Sequence, residues 1–261
     1  MRDKEIEERL QNCLDNGNNV WVIGDVHGHF ATFKALIESL RLSKNDCVVM
    51  LGDLIDRGPT SANVVKYIRE TDNIFSVRGN HEQMMIDGFS FDTFFKENSS
   101  NGNIWYHNGG VNTEYSYNRL YDSELQAYAA ASSDKNWMAK LPTEIVLDNW
   151  RLVHAGYDQN FDADNQVEQN HLWIRAKFYT AKKPIDPSRT ILFGHTPAFR
   201  HLHKDDTKTN LAWYSDVKLD DGRSMAIGID TCVYHKLKSP KVLTAFNLQN
   251  QETYYQDYVR D

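Results

Sequence analysis

Val48-Val49-Met50-Leu51-Gly52-Asp53-Leu54-Ile55-Asp56-Arg57-Gly58 is the stretch on which the reading of this chain turns. Four apolar residues in a row read as a strand buried on both faces. The strand runs into a glycine, two aspartates three apart, an arginine and a second glycine. A carboxylate at the C-terminal edge of a buried strand is costly unless it is paired or holds a metal. In open α/β sheets that edge is where ligands sit. Asp53 therefore reads as a ligand, Asp56 as a partner for a cationic side chain and Arg57 as a fork for an oxyanion. Taken alone, the stretch reads equally well as an acidic turn between a strand and a helix.

The flanking sequence decides between these readings. Val20-Trp21-Val22-Ile23 is a second apolar strand and delivers Gly24-Asp25-Val26-His27-Gly28; Ile74 to Val77 is a third and delivers Arg78-Gly79-Asn80-His81-Glu82. Phe30, Phe33, Ile37 and Leu40 between the first two strands, and Val64, Val65 and Ile68 between the next two, recur at helical spacing. The result is two βαβ units and a parallel sheet core, hence an α/β class. Asp25 and His27, two apart in extended backbone, point to one side and can share an ion. Three strand ends in succession, each with metal-capable side chains, make a run of polar turns improbable.

Composition bounds the rest. A chain of 261 residues with a formal net charge of −7 argues against a polyanion-binding surface as the main function, so no nucleic-acid partner is expected. No apolar run is long enough to span a bilayer and no signal-peptide pattern is present, so no membrane is expected either. Cys13, Cys47 and Cys232 are widely spaced and odd in number, reading as reduced thiols of a cytoplasmic protein.

One domain over residues 1–261 is expected, with a helical N-terminal extension over 1–18. Residues 98–118 are rich in Asn, Gly and Ser and read as an irregular loop insertion, its aromatics Trp105, Tyr106, Tyr115 and Tyr117 lying at the surface. Thr143 to Leu147 and Trp150 to Val153 read as a hairpin ending in His154-Ala155-Gly156. Thr190 to Phe193 is another short strand, ending in Gly194-His195-Thr196. His29, His107, His171 and His235 have no such setting and read as structural or solvated; His201 and His203, beside Lys204, Asp205 and Asp206, read as part of a solvated loop. The strand-end set is then Asp25, His27, Asp53, Asn80, His154 and His195, all nitrogen or oxygen donors. Such a set suits two divalent ions such as Mn²⁺, Fe or Zn²⁺. With Asp53 bridging, the ions would lie ~3.5–4 Å apart, suited to in-line displacement at phosphorus.

These motifs, in this order and spacing, resemble the signature of the phosphoprotein phosphatase family of calcineurin-like metallophosphoesterases. Arg78 to Met85 with Asn108-Gly109-Gly110 is similar to the small bacterial and phage lambda-type serine/threonine protein phosphatases. The likeness runs from about Val20 to Asp230. It implies a central β-sandwich flanked by helices, in α/β/β/α layers, with the site at the C-terminal edge of the strands. It implies that Asp25 and His27 bind a first metal, that Asp53 bridges, and that Asn80, His154 and His195 complete a second, with manganese the expected ion. It makes His81 the general acid oriented by Asp56, and Arg57 and Arg175 the phosphate-binding arginines. Ile229-Asp230-Thr231 resembles a late family element, giving Asp230 a supporting role behind the ligands; Cys232 stands where the family has glycine, which puts that turn in question. The implied activity is hydrolysis of a phosphomonoester on a phosphoprotein or phosphopeptide, by direct attack of a metal-bridging hydroxide. A symmetrical diadenosine tetraphosphate hydrolase is the alternative, and a non-catalytic phosphoprotein-binding relative ranks below both. No regulatory subunit can be inferred.

Overall fold

A computed structural model describes residues 1–95, 102–203, 211–235 and 241–261. In chain order the described elements are α1 (Lys4–Asp15), β1 (Val20–Ile23), α2 (Phe30–Ser39), β2 (Cys47–Met50), α3 (Ser61–Arg69), β3 (Ile74–Ser76), α4 (Asn80–Gly88), α5 (Phe91–Phe95), α6 (Val111–Leu120), α7 (Glu124–Met138), β4 (Glu144–Val146), β5 (Trp150–Val153), α8 (Glu168–Trp173), α9 (Ala176–Tyr179), β6 (Thr190–Phe193), β7 (Trp213–Tyr214), β8 (Ala226–Gly228), β9 (Val242–Asn247) and β10 (Thr253–Asp257). Wide π-type turns at Tyr106–Gly110 and Ala198–Leu202 complete the set.

The strands form two sheets, ordered β10-β9-β1-β2-β3 and β4-β5-β6-β8-β7. In the first, β1, β2 and β3 are parallel; in the second, β5, β6 and β8 are parallel, and β4 pairs antiparallel with β5 as the expected hairpin. Two mixed sheets flanked by helices make an α/β/β/α sandwich. Its interior is filled by one face of each sheet, including Val22, Val49 and Leu51 from the first and Leu152, Leu192 and Ile227 from the second. Burial of each such side chain is worth about 1.5–3 kcal/mol, and β2 is buried at every position. A one-residue slip of register would turn that interior set outward. The outer face of the first sheet carries α2, α3, α4, α6 and α7 through Phe33, Val65, Met85, Tyr117 and Met138.

The N-terminal helix is integral to this packing: Asp3 caps it by accepting from the backbone N–H of Glu5 and Ile6, and Leu10 and Cys13 enter the sandwich interior. β9 sits beside β1 in the first sheet. The irregular loop expected over 98–118 is corrected for its described part. Val111–Leu120 is a regular helix, and Trp105, Tyr106 and Tyr117 are buried, only Tyr115 of the four aromatics being exposed. The Asn- and Gly-rich composition concealed a helix whose inner face is Thr113, Ser116 and Tyr117. Residues 98–101 of that stretch, and Lys204, Asp205 and Asp206, lie outside the described residues; His201 and Leu202 close a helical turn. No helix among the described residues is long and apolar enough to cross a membrane. All three cysteines are buried free thiols.

Candidate metal centre

Six parallel strands, three from each sheet, end on one edge of the sandwich. β1, β2 and β3 deliver Asp25 and His27, Asp53 to Arg57, and Asn80 and His81; β5, β6 and β8 deliver His154, His195 and Asp230. The second and third glycine motifs, after β2 and β3, are interlocked. A Cβ on Gly52 would lie 2.5 Å from the nitrogen of Gly79, and one on Gly79 would lie 2.3 Å from the nitrogen of Asp53, so only glycine lets the backbones meet. Glu82 ties them further, accepting from the backbone N–H of Asp53, Leu54 and Gly79, each at 2.8 Å. Burial, then the neighbouring Asp53, pushes the Glu82 carboxyl up to about 7.

Left-handed backbone concentrates here: His27, Asp53, Asp56, Arg57 and His195 all have positive φ, between 44° and 71°. Such conformations cost about 1–3 kcal/mol each for residues with a side chain and cluster at functional sites. The extended backbone expected at Asp25–His27 is therefore corrected, since His27 sits at φ 44°.

Asp53 is central. Its Oδ2 lies 3.4 Å from His27 Nε2 and its Oδ1 lies 3.3 Å from His154 Nε2, so each oxygen faces a different histidine. Oδ1 also accepts the backbone N–H of His81 at 3.0 Å. Burial alone would raise the Asp53 carboxyl, but His154, His81 and Arg57 outweigh it and hold it below the ordinary carboxylate range.

Hydrogen bonds define the tautomers. His27 Nδ1 donates to the Ile55 carbonyl at 2.8 Å and His154 Nδ1 to the Leu51 carbonyl at 2.7 Å. Burial above all keeps both rings neutral, lowering their proton affinity. Each Nε2 therefore presents its lone pair to the site beside Asp53, the arrangement in which a histidine ligates a metal.

Around His154 the crowding is tighter. Asn80 Oδ1 is 2.8 Å from both His154 Nε2 and His195 Nδ1, and those two nitrogens are 3.1 Å apart. With Asp53 Oδ1, four electron-rich atoms converge and have at most the single proton of a neutral His195 to share. A cation at their centre satisfies all four. Asp25, Asp53, Asp56, Glu82 and Asp230 are also all at most 2% exposed, an excess of buried acid that needs positive charge. The donor set thus fits metal ions, and two groups of side chains could each hold one: His27, Asp53 and His81, and Asp53, His154 and His195.

Asp25 enters neither group. Both its oxygens accept the backbone N–H of His195 at 3.1 Å, and burial, then Asp230 and Asp53, drives its carboxyl well above the ordinary range. Asp230 lies behind it, accepting from Cys232 N–H at 3.0 Å and the Tyr234 hydroxyl at 3.1 Å. Cys232 keeps the turn by adopting φ 60°, a conformation glycine takes without strain.

His81 and Asp56 form a buried pair, Nδ1 to Oδ2 at 2.6 Å. Burial would lower His81; Asp53 first, then Asp56, outweigh it and hold the imidazole above its ordinary value. The other oxygen of Asp56 accepts from Trp105 Nε1 at 3.0 Å and Thr113 Oγ1 at 2.7 Å. Arg57 turns its guanidinium inward, donating to His27 Nε2 at 2.7 Å and His81 Nε2 at 2.9 Å, over the ring of Tyr234 at 4.5 Å. Arg175 is exposed and donates to the His195 carbonyl at 3.1 Å, on the opposite flank.

Sequence reasoning missed Glu82, Trp105, Thr113 and Tyr234. For Glu82 a signal existed, an acid three positions after Gly79, the residue that caps the start of α4. For Trp105 and Thr113 it lay in Asn108-Gly109-Gly110: a Cβ on Gly109, at φ 112°, would stand 2.7 Å from the nitrogen of Arg57. Glycines that tight mark a segment pressed against the site.

A sandwich whose strand ends gather metal-capable histidines and carboxylates beside a His–Asp pair and two arginines defines a metallophosphoesterase. The profile of the calcineurin-like phosphoesterase family matches residues 19–223. Serine/threonine-protein phosphatase 1 of Salmonella typhimurium is 30% identical over 221 residues, covering 79% of this chain and 93% of the relative. A symmetrical bis(5'-nucleosyl)-tetraphosphatase of Wigglesworthia glossinidia brevipalpis is 42% identical over 64 residues, 24% of each chain. The crystal structure of a metallophosphoesterase from Sphaerobacter thermophilus shares the fold, with a TM-score of 0.58 at 15% identity over 93% of this chain and 89% of that one. The chain belongs to the calcineurin-like phosphoesterase family and is a metallophosphoesterase-type hydrolase.

Proposed function

We propose that this enzyme is a protein phosphatase that removes phosphoryl groups from serine and threonine, with phosphotyrosine a further substrate of an open site. The observation that carries the chemistry is Asp53, one oxygen turned to each histidine cluster, beside the His81–Asp56 pair. We assign Asp25, His27 and Asp53 to a first divalent ion and Asp53, Asn80, His154 and His195 to a second, manganese before iron or zinc. Bound there, the two ions supply an acidified water and neutralise charge on the phosphoryl oxygens.

The chain's own residues do the rest. Arg57 directs two N–H donors into the site, which it can transfer from the histidine rings to phosphoryl oxygens, where transition-state charge resides. Arg175 approaches from the other flank. His81 carries the proton at Nε2 for the leaving alkoxide, while Asp56 holds Nδ1–H and supports the imidazolium. Asp230, with Tyr234, braces Asp25 from behind. No cysteine is positioned as a nucleophile: all three are buried, and burial pushes Cys13 up to about 12 and raises Cys47 and Cys232 as well. Buried free thiols and the absence of a spanning helix among the described residues support a cytoplasmic setting.

The protein substrate rests on similarity to bacterial serine/threonine phosphatases over most of the chain. The second reading, a symmetrical dinucleoside tetraphosphate hydrolase, is favoured by the shorter but closer match. Two arginines suit one phosphoryl group better than four in a row. The test compares kcat/KM for phosphoserine, phosphothreonine and phosphotyrosine peptides with that for diadenosine tetraphosphate, under one pH and saturating manganese. Phosphopeptides are expected to be cleaved better; a tenfold preference for the dinucleotide would replace this reading with the second.

A further inference from the structure

Beside Arg57 lies a cavity of about 290 Å³ bounded by Arg57, Pro59, Asn112, Tyr115 and Arg119, with none of the site histidines in its lining. Asn112, Tyr115 and Arg119 stand three and four apart on α6, so they form one stripe of that helix. Asn112 donates to the backbone carbonyl of Arg57 at 2.5 Å, which fixes the stripe to the phosphate-facing arginine. Arg57 is thus shared between site and cavity, its guanidinium donating to His27 and His81 Nε2 and the same residue lining the cavity.

Charge in this cavity is one-sided. No acidic residue lines it, in a chain whose net charge is −7. Two other cavities that carry cations each include an aspartate, Asp15 beside Arg223 in one and Asp162 beside Lys182 and Lys183 in the other. The neighbouring acid on α6, Glu114, is engaged elsewhere, accepting from the Tyr106 hydroxyl at 2.6 Å. Arg119 is exposed and makes no ion pair among the described residues, and the Tyr115 side chain is 61% exposed. An unpaired guanidinium beside an accessible phenol, in a cavity that Arg57 also lines, is a geometry for a second anion.

We infer that this cavity is an acidic-residue subsite, in which Arg119, with the Tyr115 hydroxyl, binds a carboxylate or a second phosphate on the phosphopeptide close to the residue being dephosphorylated. The inference rests on the phosphopeptide reading of the active site. An extended peptide advances ~3.3 Å per residue, so an anion about two residues from the phosphoresidue reaches across Arg57. Arg119 contacts the substrate only through this flanking anion and acts on specificity, not on bond cleavage.

The test scans one phosphoserine peptide with a single Asp, Ala, Lys or second phosphoserine, placed in turn from three positions before to three after the cleaved residue. Wild type, Arg119→Ala and Arg119→Glu, all saturated with manganese, are compared by kcat and KM. At low salt the wild type should prefer Asp or phosphoserine over Ala by about three- to fivefold at one or two positions, carried by KM and shrinking as salt screens the pair. Arg119→Ala should bring the ratio to within about twofold, and Arg119→Glu should turn the preference toward Lys. The Asp and phosphoserine arms separate a carboxylate subsite from a phosphate subsite. A wild type that cleaves all peptides well with no acidic preference, or variants that keep the preference, would overturn the inference. Failure to cleave any phosphopeptide, with diadenosine tetraphosphate hydrolysed, would instead overturn the reading beneath it. Arg119 is exposed, and an unchanged melting temperature in both variants shows that folding is not what is measured.

Discussion

Asp56→Asn removes one charge while keeping shape, and the structure fixes what the amide must do. Trp105 Nε1 and Thr113 Oγ1 both donate to Oδ1, so the amide oxygen has to take that place. Its NH₂ then faces His81 Nδ1 across the 2.6 Å now bridged by a hydrogen bond. Two donors cannot share that contact, so the neutral ring must take its proton at Nε2 and lose the partner that supports the imidazolium. Asp53 still raises the His81 proton affinity, but burial opposes it with less against it. General acid assistance is worth ~10²–10⁴-fold. We expect kcat for a phosphoserine peptide to fall by about 10²–10³-fold. An aryl phosphate, whose leaving group needs little protonation, should lose less than about tenfold. The assay is kcat for both substrates, with the metal content of the same samples measured. Equal losses on both substrates with metal retained would refute the acid role of the His81–Asp56 pair.

Two further predictions concern residues around this core. Trp105→Phe leaves a buried carboxylate short of one donor, which costs about 1.5–3 kcal/mol; denaturant unfolding should show that loss, and kcat for the phosphoserine peptide should fall less than in Asp56→Asn. His171, whose Nδ1 lies 3.2 Å from Thr143 Oγ1, is pushed down to about 4 by burial, then by the N-terminal amino group and Arg151. Its folded pKa lies below the unfolded value of about 6.5, so the unfolded chain binds the proton first and stability falls as pH drops from about 6.5 toward 4. At pH 5 the loss is about 2 kcal/mol, and unfolding at pH 7 and 5 should show that His171→Asn removes that part of the decline; an identical decline in the variant would exclude His171.

The metal-capable set was legible because strand ends carry it. A buried strand is a strong pattern, and a carboxylate or histidine directly after one, beside glycine, has few structural reasons to be there. Three such strands in the first sheet and two in the second put His27, Asp53, Asn80, His81, His154 and His195 on one edge. What stayed hidden depends on long-range packing. Trp105 and Thr113 reach Asp56 across 49 and 57 residues of chain, and no periodicity announces that contact. The helix Val111–Leu120 was concealed because its buried face is Thr113, Ser116 and Tyr117, largely polar residues that face the polar back of the site. Asp25 was read as pointing with His27, but the positive φ at His27 breaks the alternation on which that reading relied.

The proposed pair of divalent ions joined through Asp53 can be counted. Protein saturated with manganese and freed of excess by gel filtration should carry about two ions per chain by elemental analysis. Asp53→Asn should lower occupancy of both together, because one oxygen faces each histidine cluster, at 3.4 Å from His27 and 3.3 Å from His154. A wild type that holds a single ion, kept undiminished by Asp53→Asn, would exclude a pair bridged by Asp53.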